Sequence, residues 1–204
     1  MPFRTRQWSG TATGCHSADV ALLPDVLPAG PLELRRWRPA FADALAPVIG
    51  LSLAELQRWM PWARVIPAPE DLRSVLEAGA AAFDADQEWD YTVYDPVTDT
   101  LVGGAGLHRG ADPFALHIGY WTRSDCTRRG YATVAVRTLT DAAFTLVPGI
   151  QRVEIHMDKA NVASAAVPRK LGYRLDHEEV RPVEAPGHTG RGFVWVLDRP
   201  SPPG

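Results

Sequence analysis

The stretch FALHIGYWTRSDCTRRGYATVAV, residues 114–136, constrains this chain more than any other. Strand-type alternation leads into two arginines and Gly130, and a helix-type apolar repeat starts at once. A strand that hands over to a helix at a glycine leaves several helix N–H groups unpaired and pointing outward. The helix dipole adds about half a positive charge at the same end. Gly130 permits close backbone approach, Ala132 keeps the next turn slim, and Arg128 and Arg129 add charge. Together they make a candidate anion site that a pyrophosphate fits. The same residues also read as a plain helix start with two solvated arginines. The segment lacks the Gly-Lys-Ser/Thr ending of a P-loop and the three spaced glycines of a dinucleotide fingerprint.

The surrounding pattern places this turn late in a mixed architecture. Alternation begins at PLELRRWRP, helical spacing runs over 40–49, and Ser52 with Glu55 can cap a second short helix stopped by Pro61. A third helix begins at Pro69. WDYTVYD and TLVGGAGLH, joined by a turn at 96–99, read as an antiparallel hairpin, with 114–123 as the next strand. A helix over 130–146, the strand QRVEIHM, a helix over NVASAAVPRKLGY and two last strands complete the order. Hairpins combined with a crossover helix imply an α/β chain with a mixed sheet and helices on its faces. The expected division is an N-terminal arm over 1–30, one domain over 31–198 and a frayed tail over 199–204.

Composition narrows the classes of function. The 204 residues carry a net charge of −3, which argues against a general nucleic-acid footprint but allows a local basic pocket. Cys15 and Cys126 are far apart and lack metal-ligand spacing, so no metal centre is expected and a reducing cytoplasm fits best. No apolar run is read as reaching the roughly 20 residues that cross a bilayer, and no membrane partner is expected. The N-terminus is basic without a continuous hydrophobic core and is not read as a signal peptide.

The ordered pieces IGYW (118–121), RRGYAT (128–133), RVE (152–154), NVAS (161–164) and KLGY (170–173) resemble the GNAT superfamily of acyl-CoA-dependent N-acyltransferases. The similarity is greatest to its RimJ/RimL-like branch, and LQRWMPW (56–62) and LVGGAGL (101–107) extend it upstream. It spans about residues 31 to 198. The resemblance implies a mostly antiparallel sheet with a central pair of parallel strands that splay apart. It implies acetyl-CoA as co-substrate, with pyrophosphate on the amides of Arg128, Arg129, Gly130, Tyr131, Ala132 and Thr133. Pantetheine would pair with the strand 114–123 near Trp121 and Arg123. Asn161 would hydrogen-bond the pantetheine, and Ser164 would lie near the sulfur and could protonate the leaving thiolate. Both also suit a plain helix start, Asn161 as a cap and Ser164 in the first turn. Thr127 stands where the family loop has Gln or Arg, a harmless change where backbone does the holding.

The branch often carries a glutamate before IGYW and another after GYAT; this chain has His117 and Val134 there. His117 shares a strand face with Gly119, and a near-neutral imidazole suits a general base. Arg152, Glu154 and His156 share one face of the next strand, so Glu154 or His156 opposite His117 would permit a relay. His108 is a weaker candidate. Trp59 and Trp62 would border the acceptor groove by resemblance. Cys126 reads as an ordinary loop cysteine, and Pro168 as a kink near Ser164.

The implied reaction is direct transfer of an acetyl group to a primary amine, either a protein N-terminus or a small molecule. Two other readings stay open: a larger donor such as succinyl-CoA, or a non-catalytic acyl-CoA sensor or partner-binding module. An exposed final hairpin could support a homodimer.

Overall fold

Leu32 and Leu34 alternate with charged residues and bury completely, which makes residues Leu32–Arg36 a strand, β2, rather than a loop. The computed structural model describes residues 22–200. Before β2 lies β1 (Val26–Ala29), and after it α1 (Ala42–Trp59), α2 (Pro69–Asp84), β3 (Glu88–Asp95), β4 (Thr100–Arg109) and β5 (Ala115–Thr122). The chain continues through α3 (Tyr131–Leu146), β6 (Arg152–Asp158), α4 (Val162–Lys170), β7 (Arg174–Val180) and β8 (Arg191–Asp198). The eight strands make one sheet in the order β1-β2-β3-β4-β5-β6-β8-β7. Every pairing is antiparallel except β5 with β6, which α3 joins as a crossover. The mixed, mostly antiparallel sheet with one parallel pair is the architecture the sequence implied.

Alternation on the strands sorts the sheet into two faces. Leu116 and Ile118 of β5, Val153, Ile155 and Met157 of β6 and Trp195 of β8 pack with Ala135, Val136 and Leu139 of α3 in the larger core. Each fully buried Val, Leu or Ile side chain there contributes about 1.5–3 kcal/mol. The opposite face receives α1 and α2, whose Leu45, Ile49, Leu56, Leu72 and Leu76 form a second cluster with Leu101. His117, Glu154 and His156 fall on this second face and are half-buried.

Three expectations change. The domain starts before residue 31, because β1 pairs with β2 and buries Leu23, Leu27 and Ala29. Its Pro28 is tolerated because β1 is an edge strand. Residues 1–21 of the expected arm and 201–204 of the tail lie outside the described residues. Arg199 is held, its N–H donating to Gln151 O and its Nε to Ile150 O.

The two short helices expected between 40 and 60 are one helix, α1, with Pro47 inside. Ala42, Leu45, Ala46, Val48, Ile49, Ser52 and Leu56 form one buried stripe, and packing along it carries the helix past the proline. Ser52 is therefore not a cap. It is buried, and its Oγ accepts a hydrogen bond from the Ser124 N–H at 3.0 Å.

Within the 21-residue segment Pro39–Trp59, an 18-residue stretch has mean hydropathy 1.4, so the segment is long and apolar enough to cross a bilayer by length and composition. That overturns the expectation that no segment reaches this length. Its apolar stripe, however, is spent on α2 and β4, as in an amphipathic core helix.

Candidate active site

β5 and β6 pair for only three residues, Ala115 to His117 against Arg152 to Glu154, and then separate. β4 continues to hold the far side of β5 up to Thr122. The Arg123 N–H donates to Val102 O on β4 at 2.8 Å. Backbone direction alternates along a strand, so the peptide groups of Ile118, Tyr120 and Thr122 face the gap beside β6. The expected amide partners shift accordingly: Arg123 and, by alternation, Trp121 turn their N–H groups to β4. The Arg123 side chain is also committed, to Asp125 at 2.6 Å and Leu101 O at 3.1 Å. A line of unpaired backbone donors and acceptors thus borders a wedge-shaped opening.

Tyr120 and Thr122 of β5 line one cavity with Tyr131 and Ala132 of the glycine turn. Arg128 and Gly130 both take left-handed backbone, with φ of 63° and 81°. Gly130 is the N-cap of α3 and has no side-chain capping bond. The first backbone bond of the helix runs from Val134 N to Gly130 O, which leaves the N–H groups of Tyr131, Ala132 and Thr133 free of helical partners. A Cβ placed on Gly130 meets nothing within 4 Å, so the space in front of these amides is open. Arg128 and Arg129 are exposed, and neither forms an ion pair among the described residues. Cys126 behind the turn is buried, and burial pushes its thiol up, away from reactivity. Val134, where the branch often has a glutamate, packs against the core.

Across the gap, Asn161 caps α4 by accepting from the Ser164 N–H at 3.1 Å. Its cap reading therefore holds, and its amide nitrogen has no hydrogen-bond partner among the described residues. Pro168 sits four residues after Ser164 and has no N–H to give, so the Ser164 carbonyl lacks its helical donor. The Tyr120 hydroxyl supplies one, donating to Ser164 O at 2.9 Å, with Ser164 Oγ also at 2.9 Å. Since the carbonyl can only accept, the Ser164 hydroxyl donates back to Tyr120. Burial pushes the Tyr120 phenol up to about 12, outweighing the Ser164 hydrogen bond that pulls it down, so it stays protonated at neutral pH. Tyr120 was missed in the sequence. The signal was its place in β5 together with Pro168 four residues beyond Ser164.

On the opposite sheet face, His117 and Glu154 are direct partners in the last paired rung. His117 Nε2 lies 3.8 Å from Glu154 Oε2, and His156 Nε2 lies 2.8 Å from the same oxygen. The two imidazoles sit with ring centroids 4.5 Å apart. His156 Nδ1 reaches Glu179 of β7 at 3.4 Å. Burial first, then the neighbouring His156, lowers the His117 pKa below the ordinary histidine value, and Glu154 opposes them only in part. The result is a neutral imidazole beside a carboxylate, which can accept a proton. His108 stands directly opposite His117 on β4 and pairs instead with Asp90, at 3.0 Å. Burial lowers its pKa, but the Asp90 carboxylate prevails and raises it overall.

The aromatic residues divide. Trp62 meets Trp121 edge-on, at 6.4 Å between centroids, against the cluster of α1 and α2. Gly104 makes room for Trp121, because a Cβ there would stand 2.6 Å from its Nε1. Trp59 ends α1, and its carbonyl accepts from His188 Nε2 at 3.0 Å. Gly187 N–H donates to Arg58 O at 2.8 Å, so the loop between β7 and β8 is strapped to the end of α1. Sequence reasoning missed this strap, since nothing local to GHTG indicates a partner 129 residues away.

Residues 31–174 match the model of the acetyltransferase (GNAT) domain. No curated protein matches by sequence. Among solved structures, the ribosomal alpha-N-protein acetyltransferase RimL in complex with coenzyme A superposes with a TM-score of 0.77 at 19% identity, covering 85% of this chain and 97% of RimL. RimJ from Mycobacterium smegmatis gives 0.74 at 24% identity over 84% of each chain. The microcin self-immunity acetyltransferase MccE, in complex with acetyl-CoA and AMP, gives 0.78 at 17% identity, covering 89% of this chain and 100% of MccE. These likenesses establish a shared fold. With the splayed strands, the open glycine turn and a domain match over most of its length, the chain belongs to the GNAT acetyltransferase family.

Proposed function

We propose that the protein transfers an acetyl group from acetyl-CoA to a primary amine by direct attack. The observation that carries the reading is that β5 beyond its pairing with β6 and the first turn of α3, whose amides are unpaired, line one cavity through Tyr120, Thr122, Tyr131 and Ala132. Pyrophosphate would rest on the amides of Arg128, Arg129, Gly130, Tyr131, Ala132 and Thr133, with the two arginines adding charge. Pantetheine would extend the sheet along the open edge of β5, at Ile118, Tyr120 and Thr122, with the Asn161 amide across the gap.

The two sheet faces then divide the proton chemistry. On one face, His117 accepts the proton that the acceptor ammonium must lose before its nitrogen attacks, and Glu154 and His156 relay it outward. Backbone N–H groups at the gap stabilise the oxyanion of the tetrahedral intermediate. As that intermediate collapses, the C–S bond breaks, the Tyr120 hydroxyl turns from Ser164 O to give its proton to the thiolate, and the Ser164 hydroxyl that donates to Tyr120 steadies the phenolate left behind. Such transfer needs no covalent enzyme intermediate. Val134 leaves no carboxylate after the turn, so no base acts from that position.

The acceptor class is a protein N-terminus or a small-molecule amine. Among the structural relatives, RimL, an alpha-N-protein acetyltransferase, supports the first, and MccE, a microcin self-immunity acetyltransferase seen with AMP, is compatible with the second. Trp59, Trp62 and the strap at 187–188 would form the acceptor wall. A cytoplasmic site of action suits the sparse cysteines. The test is thiol release from acetyl-CoA in the presence of N-terminal peptides and small amines. Amine-dependent release is expected. Failure to bind coenzyme A at all overturns the reading.

A further inference from the structure

Two strand positions, i and i+2, and one residue in register on the neighbouring strand place three side chains on one spot of a sheet face. Glu154 and His156 of β6 and His117 of β5 occupy those positions. One ligand atom from each, an imidazole nitrogen from either histidine and a carboxylate oxygen, lies within 4.8 Å of the others. Four-coordinate zinc at about 2.0–2.2 Å from N and O ligands needs donor atoms slightly over 3 Å apart. The observed separations from Glu154 Oε2, 2.8 Å to His156 and 3.8 Å to His117, bracket that spacing. We infer that His117, Glu154 and His156 bind one divalent transition-metal ion of the Zn²⁺ class, and that the ion silences acetyl transfer by occupying the proton acceptor.

The chemistry around the three supports an ion of this class. Two imidazoles and one carboxylate favour Zn²⁺ over hard cations, which want oxygen sets. His156 turns its other ring nitrogen, Nδ1, to Glu179 at 3.4 Å. That carboxylate–histidine arrangement orients a metal-binding imidazole and raises its basicity. The side chains are 34%, 18% and 21% exposed for His117, Glu154 and His156, so the spot is framed by protein yet open to solution. The second cluster, Glu88, Asp90 and His108, offers one imidazole and two carboxylates. With a single imidazole beside two hard carboxylates, it is the poorer transition-metal site. The ion here is an inhibitor, not a cofactor. The silencing effect rests on the proposed role of His117, while binding rests on geometry alone.

The test is titration of the full chain, free of coenzyme A, with Zn²⁺ against a chromophoric chelator and with Co²⁺ by visible absorption. One equivalent is expected, with the d–d bands of a four- or five-coordinate ion. His117→Ala and His156→Ala should each weaken binding by at least ~100-fold, and Glu179→Gln by about 10–100-fold. His177→Ala, at an exposed site on β7, should bind as wild type. His117→Gln and His156→Gln replace any alanine variant that fails to fold, judged by thermal unfolding. Absence of a saturable site overturns the proposal, as does binding that survives both histidine substitutions. In the transfer assay, Zn²⁺ should inhibit and EDTA should restore the rate. A bound ion that leaves turnover unchanged overturns the silencing half. These titrations need no turnover, so a failed acetyltransferase assay leaves their outcome legible.

Discussion

Pro168 withholds from Ser164 the amide hydrogen that a regular helix would supply, and the Tyr120 hydroxyl takes its place at 2.9 Å. A proline that looks like a helix defect thereby ties α4 to β5 across the gap between the strands. Tyr120→Phe should lower kcat far more than it changes KM. The loss should shrink with a thioester whose thiol is a better leaving group, because less protonation is needed. Steady-state kinetics with both donors check this. The variant also leaves the Ser164 carbonyl unpaired, at a cost of about 1–3 kcal/mol in stability.

His117→Gln should reduce kcat by roughly 10²–10⁴-fold and remove the acid limb of the pH–rate profile. Burial and the neighbouring His156 set the His117 pKa below the usual 6.5, with His108 and Arg181 acting in the same sense and Glu154 against. The wild-type rate should therefore hold as pH falls to about 6.5 and decline only below it. A profile with an unchanged acid limb in the variant contradicts the assignment.

Gly130→Glu should weaken coenzyme A binding by at least ~100-fold, since it puts a negative side chain before the amides that would hold pyrophosphate. The left-handed φ of 81° adds a backbone cost of about 1–2 kcal/mol. The Cβ itself meets no protein atom within 4 Å, so the fold should survive. Calorimetric titration together with thermal unfolding separates the two effects.

The Asp90–His108 pair makes stability depend on pH with a definite sign. The folded-state His108 pKa is raised, so its contribution is complete below about 6.5 and is lost as pH climbs through the raised value. Urea unfolding at about pH 6 and about pH 8 should show wild type losing stability across that window relative to Asp90→Asn. The pair is a third exposed on the histidine side, which holds the effect below about 1 kcal/mol.

Ser52→Ala should cost about 1–3 kcal/mol, because the Ser124 N–H loses its acceptor. Chemical denaturation measures it. A neutral result would mean that α1 does not anchor the segment before the glycine turn.

Much of this architecture is legible in the chain because local signals agree. Alternation in 114–122, a glycine before an apolar repeat and Asn161 before α4 all keep their local meaning in the fold. Glu154 and His156 fall on the face that alternation assigned them, opposite His117. What could not be read depended on distant partners. Ser52 resembles a cap until the buried stripe on both sides of Pro47 is known to pack. Val26–Ala29 resembles an arm until it has β2 to pair with. Arg123 resembles a ligand contact until the pairing phase of β4 fixes the direction of its N–H. Sequence alone also gave no means of connecting Trp59 to His188 across the acceptor side.

The central claim is that the gap between β5 and β6 and the amides after Gly130 form one acetyl-CoA site. A crystal structure with bound acetyl-CoA tests it most directly. The account predicts pyrophosphate oxygens within hydrogen-bonding distance of amides in residues 128–133, pantetheine paired with the open edge of Ile118 to Thr122, and the thioester between His117 and Tyr120. Coenzyme A bound elsewhere on the molecule, or pantetheine lying outside the strand gap, would contradict it.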